Sequence, residues 1–571
     1  MKKITSLVLA STAILSCVSF GTGCRVQDNI DSDPNTINVR LYKAGFGDTF
    51  IYELQEKFEE VYAAEGYKMN ILEPTYDSAG TPMLQEMSRG YVGYDLYVTG
   101  AIMPNQVTAD SQYGKIRGEE LCEDLEEIVF NQTAINYDGS ESEDKIIDRI
   151  HPDYIPFQRS NDGTMYGFTW AQSTAGMVVN YKKLEAYGIS KDELPRTTNE
   201  MFEVFDWIYN GRTFTDKDGQ TVTVEGTDET GVYPITYNLD RTAGGASTYQ
   251  NCAFNTWFAQ FDIQTYNEFW RMEEQQEDGS WTAMEDGYKV FENENIQKVM
   301  TTGYRLMDEK YSMGNLKLNT AQDRIMKSNG DNAVFMLNGD WFLNEVKANN
   351  AKYLQDITFI NVPVISALGV EVFGAGTSYN LDEEKCDDLL SYICKLVDEH
   401  KTIDEIIASV KTEMDVTLEK ADAERIAEAR GVAFARGIEH MAFITKGSTK
   451  KDIAALALRM MASNDFAETF LREANTSSPY TQKGDIQSQY SFVNAAKDLV
   501  MNPYFRAINS RVGNTRHAVL LSDAMFPAKD NLALEMFDAS ASKNFDYAAA
   551  AASLCDSSAK EAKKLWESWR K

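Results

Sequence analysis

The amino-acid sequence predicts an α/β fold of two lobes, each a sheet flanked by helices, with a helical insertion. Strand and helix patterns alternate at the start of the chain, and the same alternation returns in its middle. Such alternation is typical of a parallel sheet with helices on its faces. The chain has 571 residues, which is more than one hydrophobic core usually supports. We therefore expect two large lobes.

The first predicted unit begins with a strand in which apolar residues alternate. Its elements are a strand over 37–42, a helix from Asp48, a strand over 68–72, a helix over 81–88 and a strand over 95–99. Asp48 suits a helix N-terminus, where free amides favour a carboxylate. Ligands of such sheets bind beyond the carboxyl ends of the strands, so we expect Phe46 and Thr99 to lie beside any ligand.

The middle of the chain gives equally local signals. They predict a helix opened by a capping box from Thr197 to Glu200, a β-hairpin over 213–224, a buried strand over 332–337, a helix from about Trp341, a charged helical insertion over 382–437 and a strand over 440–445. The capping box satisfies two backbone amides at a helix start, and Asp218-Gly219 suits a hairpin turn.

The N-terminus has the layout of a secretory signal. Two lysines are followed by an apolar stretch over 4–20 and then by small residues that end at Cys24. This layout predicts a lipoprotein signal over 1–23 with lipid on Cys24; an ordinary signal with a chance cysteine is the alternative. The polar residues 24–36 predict a flexible tether.

Composition excludes several classes of protein. The net charge of −32 argues against binding to nucleic acid or anionic lipid. Beyond Cys17 and Cys24, five cysteines remain, an odd number that excludes complete disulfide pairing. Cys386 and Cys394 would lie ~12 Å apart on one helix, too far for a bridge. The four histidines show no metal-ligand spacing, so we expect no metal and no cofactor.

Several ordered segments together resemble one family. They are Leu54–Glu59, Tyr94–Gly100, Gly176–Lys182, Leu194–Glu200, Trp257–Phe261, Leu337–Trp341 and Ile444–Ser448. The series resembles the extracellular solute-binding proteins of ABC importers, in the carbohydrate group related to maltose-binding protein. The resemblance implies the two-lobed periplasmic-binding-protein-like fold of class II, with a hinge of crossing strands. It implies a first lobe of residues 37–158 and 355–475, carrying the insertion 382–437, and a second lobe of residues 159–354 and 476–571.

The resemblance and the chemistry of sugars together suggest a set of contacts. Flat rings match the C–H faces of a sugar, and amides, carboxylates and hydroxyls match its rim. The candidates are Trp341, Trp170, Phe46, Thr99, Ser173, Trp257, Asn255 and Asp340. Trp341 matches a family position that stacks on sugar, although a core tryptophan is the alternative. Asp340 is expected either to bond a hydroxyl or to cap the helix at Trp341.

The expected partners are a carbohydrate, the permease subunits of an ABC transporter, and the membrane through lipid on Cys24. We expect a monomer on the outer face of the cell membrane. A non-sugar solute such as a peptide is the alternative ligand. A secreted glycoside hydrolase is the alternative class, since it needs two carboxylates across a sugar cleft, but none of the 87 acidic residues is singled out.

Overall fold

A computed structural model describes residues 29–569, apart from 73–79, 91–92, 101, 240–247, 315, 328–329, 481–485, 512–531 and 543–544. The predicted signal and Cys24 lie outside the described residues. Within these ranges, no helix combines the length and the apolar character that a membrane span requires.

The elements follow the chain in a mixed order. The strands are β1 (Thr36–Leu41), β2 (Lys68–Ile71), β3 (Leu96–Val98), β4 (Thr133–Ile135), β5 (Glu141–Lys145), β6 (Phe168–Thr169), β7 (Ala175–Asn180), β8 (Arg212–Thr215), β9 (Thr221–Val224), β10 (Val232–Thr236), β11 (Glu273–Gln275), β12 (Trp281–Ala283), β13 (Asn332–Gly339), β14 (Ile357–Ile360), β15 (Val432–Phe434), β16 (Met441–Ile444) and β17 (Arg506–Ile508). The helices are α1 (Thr49–Val61), α2 (Gly80–Ser88), α3 (Gln112–Arg117), α4 (Ile155–Gln158), α5 (Tyr181–Glu185), α6 (Thr198–Asn210), α7 (Thr227–Thr230), α8 (Thr248–Phe261), α9 (Ile263–Arg271), α10 (Glu294–Leu306), α11 (Leu318–Met326), α12 (Phe342–Asn350), α13 (Ser366–Phe373), α14 (Glu383–Asp398), α15 (Ile403–Met414), α16 (Lys420–Gly431), α17 (Lys451–Met461), α18 (Asn464–Ala474), α19 (Ser491–Met501), α20 (Leu532–Ser540) and α21 (Tyr547–Trp569).

The first sheet has the order β2-β1-β3-β16-β6. Its first three strands are parallel, as the sequence predicts, while β16 and β6 are antiparallel to their neighbours. Helix α1 covers the sheet and buries Phe50, Leu54 and Phe58. Asp48 precedes this helix, but its side chain pairs with Lys43 at 3.1 Å and does not cap it.

The second sheet has the order β10-β13-β7-β14. Strand β7 runs antiparallel to both β13 and β14. All eight residues of β13 are buried, which fits a central strand covered by helices on both faces. The capping box at Thr197 and the hairpin formed by β8 and β9 are both present, as predicted.

Three segments of the chain connect the first lobe with the second. They lie between β6 and β7, between β15 and β16, and between α18 and α19. The first two are joined by the hydrogen bond from the Arg436 amide to the Ser173 carbonyl, at 2.7 Å. The first and third are joined by the bond from the Gln172 amide to the Ser477 carbonyl, at 3.0 Å. These adjacent crossings form the hinge between the lobes.

The lobe boundaries differ from the predicted ones at three places. Strand β14, assigned by the resemblance to the first lobe, pairs with β7 in the second sheet, and β6 belongs to the first sheet. The helical insertion packs on the second lobe, where the Thr197 hydroxyl of the residue capping α6 donates to Asp387 at 2.8 Å. Short apolar strands carry no local information about which sheet they join, so long-range pairing decides.

The predicted tether is shorter than expected. Residues 29–35 lie along the first sheet, where Asn38 donates to the Asp31 carbonyl at 2.9 Å and accepts from the Asp31 amide at 2.8 Å. Asn70 donates to the Asn29 carbonyl at 2.8 Å. The side chain of Ile30 packs against the core. These bonds order a polar stretch that composition alone marks as flexible.

Candidate functional site

The first lobe contributes an aromatic wall beside the hinge. The ring of Phe46 lies edge-on to Trp170 and His440, with ring centroids 5.2 and 5.1 Å apart. The indole N–H of Trp170 donates to the Thr99 carbonyl at 3.0 Å. The structure thus brings Phe46, Thr99 and Trp170 together, while the expected position of Phe46 and Thr99 beside a ligand stays a prediction. Trp170 is only 1% exposed, so it supports the wall and offers no free N–H.

Trp341 is the main aromatic residue from the second lobe. Its ring packs against Gly339 at the end of β13, so closely that a Cβ on that glycine would come within 2.1 Å of the ring. The Tyr249 ring lies 6.1 Å away, tilted by 34°. Gly45 of the first lobe lies opposite, where a Cβ would be 3.6 Å from the Trp341 ring. The Trp341 ring therefore lies between the lobes.

The lobes also touch directly at this edge. The side-chain NH2 group of Asn344, in α12, donates to the Gly45 carbonyl at 2.7 Å. The side-chain oxygen of Asn344 accepts from the side-chain NH2 group of Asn475 at 3.1 Å. Glu345 is adjacent: its carboxylate would lie 3.4 Å from a Cβ on Gly45, and it accepts a hydrogen bond from Gln322. Burial raises the pKa of Glu345 to about 7. The described conformation is closed on this side.

The floor of the cleft carries an ionic cluster that the sequence did not reveal. Glu439 pairs with Arg436 at 3.0 Å and with Arg511 at 3.5 Å. Burial acts to raise the pKa of Glu439, but the two guanidinium groups outweigh burial and lower it. Burial lowers the pKa of the adjacent His440 to about 4, so its imidazole is neutral near pH 7. The cluster therefore holds two positive charges and one negative charge.

Polar atoms without partners surround the crossing strands. The Ser173 and Thr174 hydroxyls, one Asp340 oxygen and the His440 Nδ1 are buried with no hydrogen-bond partner among the described residues. Leaving such an atom unpaired costs about 1–3 kcal/mol. Native proteins usually supply a partner in the form of water or a bound group. This arrangement suits a cavity that a polar molecule completes.

Asp340 bonds to the hinge at the point where β13 ends. Its second oxygen accepts from the Thr476 hydroxyl at 2.7 Å, and its backbone amide donates to the Thr174 carbonyl at 3.0 Å. Burial raises the pKa of Asp340 to about 7. Because this carboxyl contacts two crossing segments, its protonation is coupled to the hinge.

Two predicted residues lie elsewhere. Trp257 is 1% exposed in the core of the second lobe and donates to the Pro363 carbonyl at 3.0 Å. The Asn255 side-chain oxygen accepts from Tyr266 and Trp270 at 3.0 and 3.1 Å. The polar groups of both residues are used inside the lobe, so neither belongs to the cleft. Their helix, α8, instead contributes Tyr249, which no sequence motif marked.

Metal chemistry has no evident place in the described parts of the chain. No group of three or more His, Cys, Asp or Glu side chains there is arranged to hold a metal ion. The five cysteines of these parts are unpaired, and Cys122, Cys252, Cys386 and Cys394 are buried. The residues between the lobes offer flat rings, guanidinium groups, carboxyls and hydroxyls, the kinds of group that suit a polar organic ligand.

Comparison with known proteins identifies the fold. No protein-family model matches the sequence, and no curated protein matches it. Among solved structures, the chain is similar to maltose-bound MalE3 of T. maritima (13% identity, TM-score 0.51) and to a chitin oligosaccharide binding protein (12% identity, TM-score 0.50). It is also similar to the SBP RafE in complex with raffinose, with 10% identity and a TM-score of 0.50. Each match covers 93% of this chain and 99% of the other. The chain therefore has the two-lobed fold of solute-binding proteins, as the sequence predicts.

Proposed function

We propose that this protein is a lipid-anchored extracellular solute-binding protein that delivers a sugar or oligosaccharide to the permease of an ABC transporter. The observation that carries the proposal is the position of Trp341, whose ring lies between the lobes and opposite Gly45. A sugar ring can stack on such a flat surface while its hydroxyls reach polar groups around it. The unpaired atoms of Ser173 and Asp340 lie at the hinge behind this site.

Capture depends on the two lobes meeting around the solute. Trp341 comes from the second lobe and the loop at Gly45 from the first, so a solute between them contacts both. A ligand shifts the equilibrium towards the closed form only if it binds that form better than the open one. Contacts shared between the lobes provide this difference. The bond from Asn344 to Gly45 stabilises the same closed form.

The membrane anchor and the permease are proposed from the sequence and from the family resemblance. The signal layout before Cys24 supports lipid attachment, which would keep the protein on the outer face of the membrane. Mass spectrometry of the membrane-extracted protein tests this part. The expected result is a diacylglyceryl-modified N-terminal Cys24, and a soluble chain cleaved at another site would contradict it.

The ligand is tested on the soluble body beginning at Arg25. Thermal shift and titration calorimetry are run against maltose, raffinose, chitin oligosaccharides and a panel of peptides, since selective binding to the folded form raises the melting temperature. We expect a carbohydrate to bind and the variant Trp341→Ala to abolish binding. Trp281→Ala is the matched control, because Trp281 lies in the β11–β12 hairpin under Arg271, at 4.3 Å.

The other outcomes separate the alternatives. If peptides bind and no carbohydrate does, the solute-binding class stands and the sugar assignment fails. Release of product from a chromogenic glycoside would indicate a hydrolase instead. If a sugar binds with the same affinity after Trp341→Ala, the site lies elsewhere.

A further inference from the structure

The ionic cluster lies between the two aromatic groups of the cleft. On one side, Arg436 is near Tyr249 and Cys252, and its guanidinium acts on the pKa of both side chains. On the other side, His440 directly follows Glu439 and contacts Phe46 and Trp170 at ring distances of 5.1 and 5.5 Å. The cluster, termed the floor of the site, thus lies next to both groups of rings that are proposed to hold the solute.

The charge of this floor is not balanced. Arg436 and Arg511 share the single carboxylate of Glu439. These three side chains together carry a net charge of +1 in a protein whose net charge is −32. Two guanidinium groups that share one carboxylate can pair with a second anion, so this site favours an anionic partner.

The geometry of Arg436 suits a ligand contact. Its backbone amide is fixed by the Ser173 carbonyl at 2.7 Å, and its ion pair to Glu439 uses one terminal nitrogen. A guanidinium has five N–H donors in a planar fork that matches a carboxylate. Its side chain is 27% exposed, so part of the fork is accessible. Because Arg511 also pairs with Glu439, this carboxylate would keep a cationic partner when Arg436 binds a ligand.

We propose that the solute carries a carboxylate that Arg436 binds, which makes an acidic sugar containing a uronic acid the preferred ligand class. The ring of the uronate lies against Trp341 and Tyr249, and its carboxylate reaches the guanidinium on the floor. This inference rests on the proposed function for the sugar part, whereas the carboxylate part depends only on the ionic cluster.

Calorimetry with matched pairs of ligands tests this proposal. The pairs are digalacturonate with α-1,4-galactobiose and cellobiouronate with cellobiose, each titrated at low and high salt. We expect an acidic member to bind about ten- to a hundred-fold more tightly than its neutral counterpart. This is the ratio of dissociation constants that corresponds to the free energy of one charge-assisted hydrogen bond. The preference for the acidic member should fall at high salt, and it should fall more the more the pair of guanidinium and carboxylate is exposed to solvent.

Variants separate recognition from folding. Arg436→Gln should remove the preference for the acidic member, and Arg436→Lys should retain part of that preference. Arg472→Gln is the control, since Arg472 pairs with Glu53 on the surface of the first lobe. If Arg436→Gln does not fold, Arg511→Gln serves instead. The Arg511→Gln substitution exposes Glu439 to the carboxylate of the ligand and should reduce the preference for the acidic member.

The outcomes distinguish the two proposals. Neutral sugars that bind as tightly as acidic ones overturn the carboxylate inference and leave sugar binding intact. Binding of a non-sugar carboxylate such as citrate, lost in Arg436→Gln, supports the inference and overturns the sugar assignment. Binding of neither uronates nor citrate overturns the inference.

Discussion

Replacing Gly339 with alanine tests whether the Trp341 ring is the platform of the cleft. The new Cβ would lie 2.1 Å from Cη2 and Cζ3 of Trp341 and 2.5 Å from Cε3. Carbon atoms do not approach so closely, so the ring has to move. Overpacking of this kind costs about 1–3 kcal/mol of folding stability. Displacement of the ring should also remove its contact with the solute, which is expected to weaken binding about ten- to a hundred-fold.

A double-mutant cycle makes the test specific. In Trp341→Ala the ring is absent, so adding Gly339→Ala should change neither affinity nor stability further. The measurements are calorimetric Kd and urea unfolding of the wild type, both single variants and the double variant. If Gly339→Ala leaves the Kd unchanged, or if the two substitutions have additive effects, Trp341 is not the platform. Intrinsic fluorescence provides an independent signal for displacement of the indole.

Three further predictions concern the hinge and the second lobe. Burial raises the folded pKa of Asp340 to about 7, above its unfolded value, so the free energy of unfolding should fall as the pH rises from about 4 to 7. Asp340→Asn should reduce this fall by up to a few kcal/mol, as measured by urea unfolding at pH 4.5 and 8. Asn344→Ala removes the bond to the Gly45 carbonyl, so the radius of gyration from X-ray scattering should rise and affinity should fall up to about tenfold; an unchanged radius argues against this contact as a closure point. Lys183 donates to three backbone carbonyls at 2.7, 3.0 and 3.1 Å, so Lys183→Met should lower stability by roughly 2–4 kcal/mol without changing Kd. The control Lys182→Met, on the surface, should change neither stability nor Kd.

The charged floor explains how a strongly acidic protein can bind an acidic solute. At long range the net charge of −32 repels an anion, which lowers the association rate. At contact, the local surplus on Arg436 and Arg511 outweighs that repulsion, because salt screens distant charges within about 8–10 Å. Slow association with selective retention is the kinetic pattern expected from this arrangement.

Much of the local structure was determined by the sequence alone. The capping box at Thr197 and the hairpin around Asp218 depend on residues within a few positions of one another, so their signals survive without tertiary information. The parallel start of the first sheet follows from the alternation of strands and helices. The rule that ligands bind at strand ends suggested Phe46 and Thr99 as contacts, and the family resemblance suggested Trp341; these roles stay predictions.

Tertiary structure decided what depends on contacts distant in sequence. Strand β14 joins the second sheet because β7, about 180 residues earlier, is its partner, and no local pattern records that choice. The same holds for Tyr249, which only folding brings to 6.1 Å from Trp341, and for Arg436, which only folding brings near Tyr249. Conversely, the sequence around Trp257 is compatible with a binding-site position and with a core position. Packing in the second lobe buries Trp257 away from the cleft. A residue's type limits the interactions it can make, and only its neighbours in space determine which of them it does make.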